Sequence, residues 1–220
     1  MIHKIAERLS MGNICIGDFI KKWYGTKPTY VSYGGVNIVK SDPSALLRAG
    51  KRKTKSKNSA VFVGRLDEQT GILTYVNAVK IIKKKVPNFE FEIIGDGKFK
   101  KEIEREFKVS GFQKNPERYF FEYNFAFVSR YLSILEAMAA RKLVFAVFDN
   151  PLKEDYLRMS PFSKYIVISS STSELVSKVY FYSDNLEEKE AIIEGAYKWV
   201  EKHTWEEMAN TYMKLWKKSF

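Results

Sequence analysis

At 220 residues, with 45% hydrophobic and 15% aromatic side chains, the chain can build one domain with a full core, with or without an appendage, and is too apolar to be disordered. A single cysteine, Cys15, excludes an intrachain disulfide, and two histidines leave no Cys/His set for a zinc site. The formal net charge of +11 suits nucleic acid, acidic lipid or a diphosphate, although a lysine-rich solvated surface is its ordinary source because the lysines are spread over many predicted helices.

No apolar run approaches the roughly 20 residues that span a bilayer, and the first residues lack a signal-peptide pattern, so the cytoplasm is the expected compartment. Residues 1–40 predict a helix over Ile2–Leu9, a strand over Asn13–Ile16, a helical turn over Asp18–Trp23 and a strand over Thr29–Tyr33, ahead of Gly34-Gly35. Two such strands cannot form an independent core. Residues 41–58 read as a basic flexible linker, with Asp42-Pro43, Gly50 and then Lys51-Arg52-Lys53-Thr54-Lys55-Ser56-Lys57-Asn58. Such a cluster suits peripheral contact with an acidic membrane surface, at about 1 kcal/mol per basic residue; a solvated linker with no partner is the ordinary account.

From Ala60 the pattern becomes regular. A strand over Ala60–Val63 stops at Gly64. A helix over Thr70–Lys85 carries Leu73, Val76, Val79 and Ile82 near the helical period, with lysines gathered at the end its dipole favours. A strand over Phe89–Ile94 is stopped by Gly95-Asp96-Gly97, and a charged helix over Lys98–Lys108 leads to a short strand over Val109–Phe112. Asn115-Pro116 supplies an N-cap and a first-turn proline for a helix over Glu117–Tyr123. Strands follow at Phe125–Val128, Leu143–Phe148 and Tyr165–Ile168, and helices at Ser173–Tyr182 and Glu187–Lys202. Residues 204–220 form a last amphipathic helix, opened by the capping box Thr204-Trp205-Glu206-Glu207. Its stripe of Trp205, Met208, Tyr212, Leu215 and Trp216 is expected to cover the N-terminal segment or to meet a partner subunit or a second copy. The alternation implies an α/β, Rossmann-like doubly wound parallel sheet over residues 59–203, with a small βαβ-like N-terminal appendage.

Chemistry concentrates where a strand feeds directly into a helix, at Asn124–Ala140. Phe125–Val128 is apolar without alternation, as in a strand covered on both faces. Ser133 with Glu136 three residues on reads as a capping box, so the helix is expected to open near Ser133. The bare amides and dipole of such a start seat an anion, above all a phosphate. In the usual strand order 3-2-1-4-5-6 the first and fourth strands are neighbours at the switch point. Gly64 and Arg65 would then meet Tyr131, Leu132 and Ser133 over one crevice, with the guanidinium able to bind two oxygens of a diphosphate. Gly95 and Gly97 permit close backbone approach beside it.

Leu135-Glu136-Ala137-Met138-Ala139, with Gly64-Arg65-Leu66 and Ile94-Gly95-Asp96-Gly97 upstream, resembles the family 4 (group 1) glycosyltransferases of the GT-B fold, from about Ala60 to the C-terminus. The resemblance implies the C-terminal, donor-binding domain of a retaining enzyme. It also implies that residues 1–40 are a remnant of an N-terminal domain that is mostly absent, the acceptor side with it. The implied donor is a UDP-, GDP- or ADP-sugar, with no cofactor or metal; Glu136 would accept the ribose hydroxyls, and Gly111 and Phe112 would lie near the base. Two residues depart from the family pattern. Thr70 stands where a lysine precedes Gly71, so a cation is lost that Lys98 is a candidate to replace. Val128 stands where a glutamate faces the donor sugar; Ser129-Arg130-Tyr131 would form a shortened loop there, with Arg130 charging the phosphates. The departures equally motivate a second reading, a family member without transferase activity that serves as a binding or interaction module. The sequence offers no catalytic nucleophile or base, since His3 and His203 lack a carboxylate or metal-like constellation nearby. Without a recognition helix or aromatic platform motif, nucleic acid is not an expected partner.

Overall fold

The computed structural model describes residues 5, 7, 9–10, 12–38 and 55–217. Its centre is a six-stranded parallel sheet, built from runs of residues that are apolar on both faces. In chain order the N-terminal segment contributes β1 (Ile14–Ile16), α1 (Phe19–Tyr24) and β2 (Tyr30–Ser32). The main body contributes β3 (Ser59–Val63), α2 (Ile72–Lys85), β4 (Glu90–Ile94), α3 (Lys100–Ile103), β5 (Lys108–Val109), a 3-10 segment Pro116–Glu122, β6 (Phe125–Phe127), α4 (Tyr131–Ala139), β7 (Leu143–Val147), α5 (Pro151–Arg158), β8 (Val167–Ser169), α6 (Thr172–Asp184), α7 (Leu186–Val200) and α8 (Trp205–Lys217). The large sheet has the order β5-β4-β3-β6-β7-β8, and β1 pairs with β2 separately. This is the doubly wound order expected from the sequence, with β3 and β6 adjacent at the switch point and Phe62 beside Phe127.

Residue size is partitioned between the two faces. One face presents Phe62, Phe91, Phe125, Phe127 and Phe145 mostly to the small and branched residues Ala78, Val79 and Ile82 of α2 and Leu175 and Val179 of α6, with Tyr75 of α2 the large exception, stacked on Phe127. The other presents Val61, Ala126, Val144 and Ala146 to the larger Tyr131, Leu135 and Met138 of α4 and to Phe120, Tyr123 and Phe162. Large against small lets both layers close-pack on one thin sheet. The N-terminal segment joins the second layer through Phe19 and Val36 rather than forming a core of its own.

Several boundaries differ from the sequence reading for identifiable reasons. The helix expected over Lys98–Lys108 is cut to Lys100–Ile103. Phe107 turns inward against Phe91, and Lys108–Val109 already pairs with Glu92 and Ile93. The strand expected over Val109–Phe112 therefore starts early, and Phe112 is exposed. The helix expected over Glu117–Tyr123 is 3-10 throughout. The strand expected over Tyr165–Ile168 is Val167–Ser169. Helix α5 fills a stretch to which the sequence reading assigns no element. Of the Ile2–Leu9 helix, Ile5, Glu7 and Leu9 are described and helical. Most of the basic linker lies outside the described residues; its end is anchored, with the Lys55 amide donating to the Glu122 carbonyl at 2.7 Å.

Candidate functional site

At the carboxyl ends of β3 and β6 two guanidinium groups meet on one amide. Arg65 follows β3 and places Nη2 2.8 Å from Gln69 Oε1 and 3.2 Å from Asp67 Oδ2. Arg130 caps α4 and places Nη1 3.3 Å from the same Gln69 oxygen. Both arginines are exposed. Two like charges on one neutral acceptor repel each other, and an anion set between them would replace that repulsion with charge-assisted hydrogen bonds.

The turn that carries Arg130 is pinned from below. Ser129 is buried; its Oγ lies 2.6 Å from the Tyr75 hydroxyl and accepts from the Val147 amide at 2.9 Å. Tyr75 also donates to the Phe145 carbonyl at 2.9 Å. From the side, the Tyr156 hydroxyl of α5 accepts the Tyr131 amide at 2.7 Å, and the Tyr131 hydroxyl donates back to the Tyr156 carbonyl. Their rings stack with centroids 3.8 Å apart. Lys153, also on α5, donates its ammonium to the Ser129 carbonyl.

These contacts decide where α4 begins. It opens at Tyr131, with Arg130 as an extended N-cap and no side-chain cap. The expected Ser133–Glu136 capping box is therefore absent, because both residues already lie inside the helix. Of the amides at this helix start, that of Tyr131 is taken by Tyr156. Those of Leu132 and Ser133 have no acceptor among the described residues.

The loops after β3 and β4 are zipped together. The Leu66 amide donates to the Asp96 carbonyl at 2.9 Å, and the Phe99 amide to the Leu66 carbonyl at 3.0 Å. A Cβ on Gly95 would collide with the Gly64 carbonyl oxygen, and one on Gly97 would lie 2.7 Å from the Leu66 carbonyl oxygen. The two glycines thus serve close backbone approach at the rim. Lys98 lies beside them, exposed and ion-paired with Glu68.

Thr70 is buried and spends its hydroxyl inside the loop, donating to the Arg65 carbonyl at 2.8 Å or the Asp67 carbonyl at 2.9 Å. Val128 is buried in the core. Glu136 is half-buried on α4; burial, then the like charge of Glu117, pushes its carboxyl up to about 7. Gly111 takes a positive φ and accepts the Gly95 amide at 2.9 Å. His203 stacks on Trp199 at 3.6 Å with Nδ1 2.7 Å from the Trp199 carbonyl, which makes it a helix-end residue. His3 lies outside the described residues.

The fold thus brings Gly64, Arg65, Gly95, Gly97, Lys98, Arg130, Leu132 and Ser133 to the carboxyl ends of β3, β4 and β6. Tyr131 is turned inward, and Glu136 lies one turn along α4, within reach of the charge of Glu117. Sequence reasoning missed Gln69, Lys153 and Tyr156. The last two belong to α5, whose start was legible: Asn150-Pro151 repeats the cap-and-proline pattern of Asn115-Pro116. The Asn150 side chain accepts the Lys153 amide at 2.9 Å. Gln69 carries no local signal at all.

Comparison with known proteins follows the same lines. Residues 57–155 match the family described as glycosyl transferases group 1. A search of curated proteins found no match. Among solved structures, Anabaena Alr3699/HepE in complex with UDP superposes with a TM-score of 0.72 at 16% identity, covering 99% of this chain and 66% of that one. A mutant form of S. aureus TarM, in complex with fondaparinux, alpha-GlcNAc-glycerol and UDP, gives 0.68 at 16% identity, covering 93% and 43%. The C-terminal domain of the group 1 glycosyl transferase LpcC from Francisella tularensis gives 0.55 at 15% identity, covering 77% of this chain and 94% of that domain. The chain thus spans less than half of the TarM chain and about two thirds of HepE. Residues 57–155 match the group 1 glycosyl transferases, and the chain has the fold of GT-B glycosyltransferases, matching a part of them.

Proposed function

We propose that the crevice between β3 and β6 binds the diphosphate of a nucleotide-sugar donor, and that the chain is the donor side of a retaining group 1 glycosyltransferase whose acceptor side lies elsewhere. The observation that carries this reading is the meeting of Arg65 and Arg130 on Gln69, beside the open amides of Leu132 and Ser133. UDP is the first nucleotide to try because it is bound in the HepE and TarM structures. When the bond from sugar to diphosphate breaks, negative charge grows on the departing oxygen. Fixed guanidinium and N–H groups stabilise that charge without reorganising, so the chain's contribution is positioning and electrostatics. An ionised Glu136 offers two oxygens to a vicinal diol such as the ribose.

The test is calorimetric titration of the full chain with UDP, GDP and ADP. Arg65→Ala removes charge-assisted hydrogen bonds worth about 1.5–3 kcal/mol, so it should weaken the preferred nucleotide by roughly 10- to 100-fold. Absence of binding to all three nucleotides would overturn the reading. Buried Val128 and internally bonded Thr70 bring neither carboxylate nor cation to the donor, and they favour a second reading, a nucleotide-sugar-binding module without transfer. Binding of UDP-sugars with no UDP released over hours, with acceptors and partner subunit supplied, would select it.

A further inference from the structure

Lys153 is a lysine in an unusual place. It is buried, and it shares a hollow with Glu68, Gln69, Gly71, Thr74, Val147 and Asp149, directly under the amide that holds both arginines. Its ammonium rests on the Ser129 carbonyl and lies 4.2 Å from the centre of the Tyr156 ring. It forms no ion pair among the described residues, while Arg130 adds a second positive charge nearby. A buried ammonium with one neutral acceptor and a like charge beside it is costly. Methionine would fill the same hollow without that cost. The arrangement makes physical sense for a site that waits for an anion. Position 70 supplies no charge, being a threonine whose hydroxyl is committed to backbone carbonyls.

We propose that Lys153 completes the diphosphate site: its flexible stem lets the ammonium leave the Ser129 carbonyl and meet the anion seated by Arg65, Arg130 and the start of α4. This rests on the donor-binding reading above and adds to it a residue that no motif marks. The groups facing the ammonium are Arg130 from the β6–α4 turn, Asp67 and Glu68 from the loop after β3, Asp149 from the end of β7, and Tyr156 on its own helix. Burial, then Arg130, pulls the ammonium down to about 7 against the opposing pull of Asp149 and Asp67. Below that pH the free protein holds the charge and the ammonium contributes fully to binding. Above it a proton must be taken up on binding, so affinity falls by roughly tenfold per pH unit.

The experiment titrates the full chain with UDP-glucose, GDP-mannose and ADP-glucose, whose diphosphate diesters do not change charge near neutrality, and continues with the tightest. Between pH ~6.5 and pH ~8.5 wild type should lose at least about tenfold in affinity relative to Lys153→Met or Lys153→Arg, which share the titration of Glu136. Lys153→Met should lose about tenfold or more at the lower pH and show no weakening as pH rises, the remaining titration of Glu136 running the other way, while melting no lower than wild type because a buried charge has gone. Lys153→Arg should likewise show no weakening between the two pH values, since its charge is permanent. Wild-type affinity in Lys153→Met at pH ~6.5, with Arg65→Ala still weakened, would overturn the proposal and leave the donor reading intact. If Lys153→Met fails to fold, Lys153→Arg decides: a pH dependence unchanged from wild type rejects the role. No binding of any of the three sugars by wild type would remove the donor reading and this inference with it.

Discussion

Glu136 shows how one side chain can be set against the stability of its own fold. A free glutamate titrates near 4.5, but burial and Glu117 push this one up to about 7. Between those values the folded chain holds more protons than the unfolded chain, so stability falls as pH rises through that window. Above pH 7 the loss is complete. Glu136→Gln cannot ionise and should be more stable than wild type at pH 8, on the order of 2 kcal/mol, with the difference vanishing near pH 4. Urea denaturation at the two pH values measures this. A glutamine variant less stable than wild type at pH 8 would mean that the carboxylate is satisfied where it sits. The same variant should bind nucleotide more weakly, because an amide cannot accept two hydroxyls as a carboxylate does.

At the scale of elements, the crevice depends on how closely the tips of β3 and β4 approach. Gly95 has φ +148° and lies against the Gly64 carbonyl. Gly95→Ala would push the two strand ends apart and strain the turn. It should cost about 2–4 kcal/mol, read as a shift in the urea midpoint, and it should weaken nucleotide binding because Arg65 directly follows Gly64. A loss below about 0.5 kcal/mol, the usual range for surface changes, would show that the tips can separate freely. The two helices beside the crevice contribute differently. The motif-bearing helix α4 supplies amides and Arg130, whereas α5, outside the motifs, supplies Lys153 and the Tyr156 hydroxyl that holds α4 at its first residue.

Across the whole molecule, the N-terminal segment buttresses that same helix. Trp23 Nε1 donates to Asp155 at 2.8 Å, Lys22 pairs with Asp155 at 2.6 Å, and Phe19 meets the Tyr156 ring at 5.3 Å. Tyr33 packs edge-on against Tyr131 and Phe162. At the far end Val36 bridges to Thr204, and the Glu207 amide is capped by the Thr204 hydroxyl at 3.1 Å, as the capping-box pattern predicts. Of the α8 stripe, Trp205 and Trp216 are exposed, while Met208, Tyr212 and Leu215 are half-buried and the Met208 sulfur accepts from the Ser32 hydroxyl of the N-terminal segment. A two-stranded unit of this size has no stability of its own, so the segment and the main body should unfold together. Phe19→Ala should lower stability by about 3–5 kcal/mol if the site cannot collapse, in a single transition by both tryptophan fluorescence and circular dichroism. Two separated transitions would show that the segment is only loosely docked.

Local pattern determined the strands, and the usual doubly wound topology supplied their order. Unbroken apolar runs mark strands covered on both faces, helices between them force right-handed parallel crossovers, and that topology puts Arg65 next to the start of α4. Thr70 and Val128 were marked not by pattern but by the resemblance to group 1 glycosyltransferases, whose motifs they depart from. Tertiary structure decided the rest. Gln69 meets Arg130 across 61 residues of chain, and Lys153 meets Ser129 across 24. Helix α4 starts at Tyr131 because a hydroxyl from another helix takes its amide, overriding a local cap that Ser133 and Glu136 could have formed. Hydrogen bonds between distant segments leave no period or spacing in a single sequence, so the strands could be read from it and the partners of the side chains above them could not.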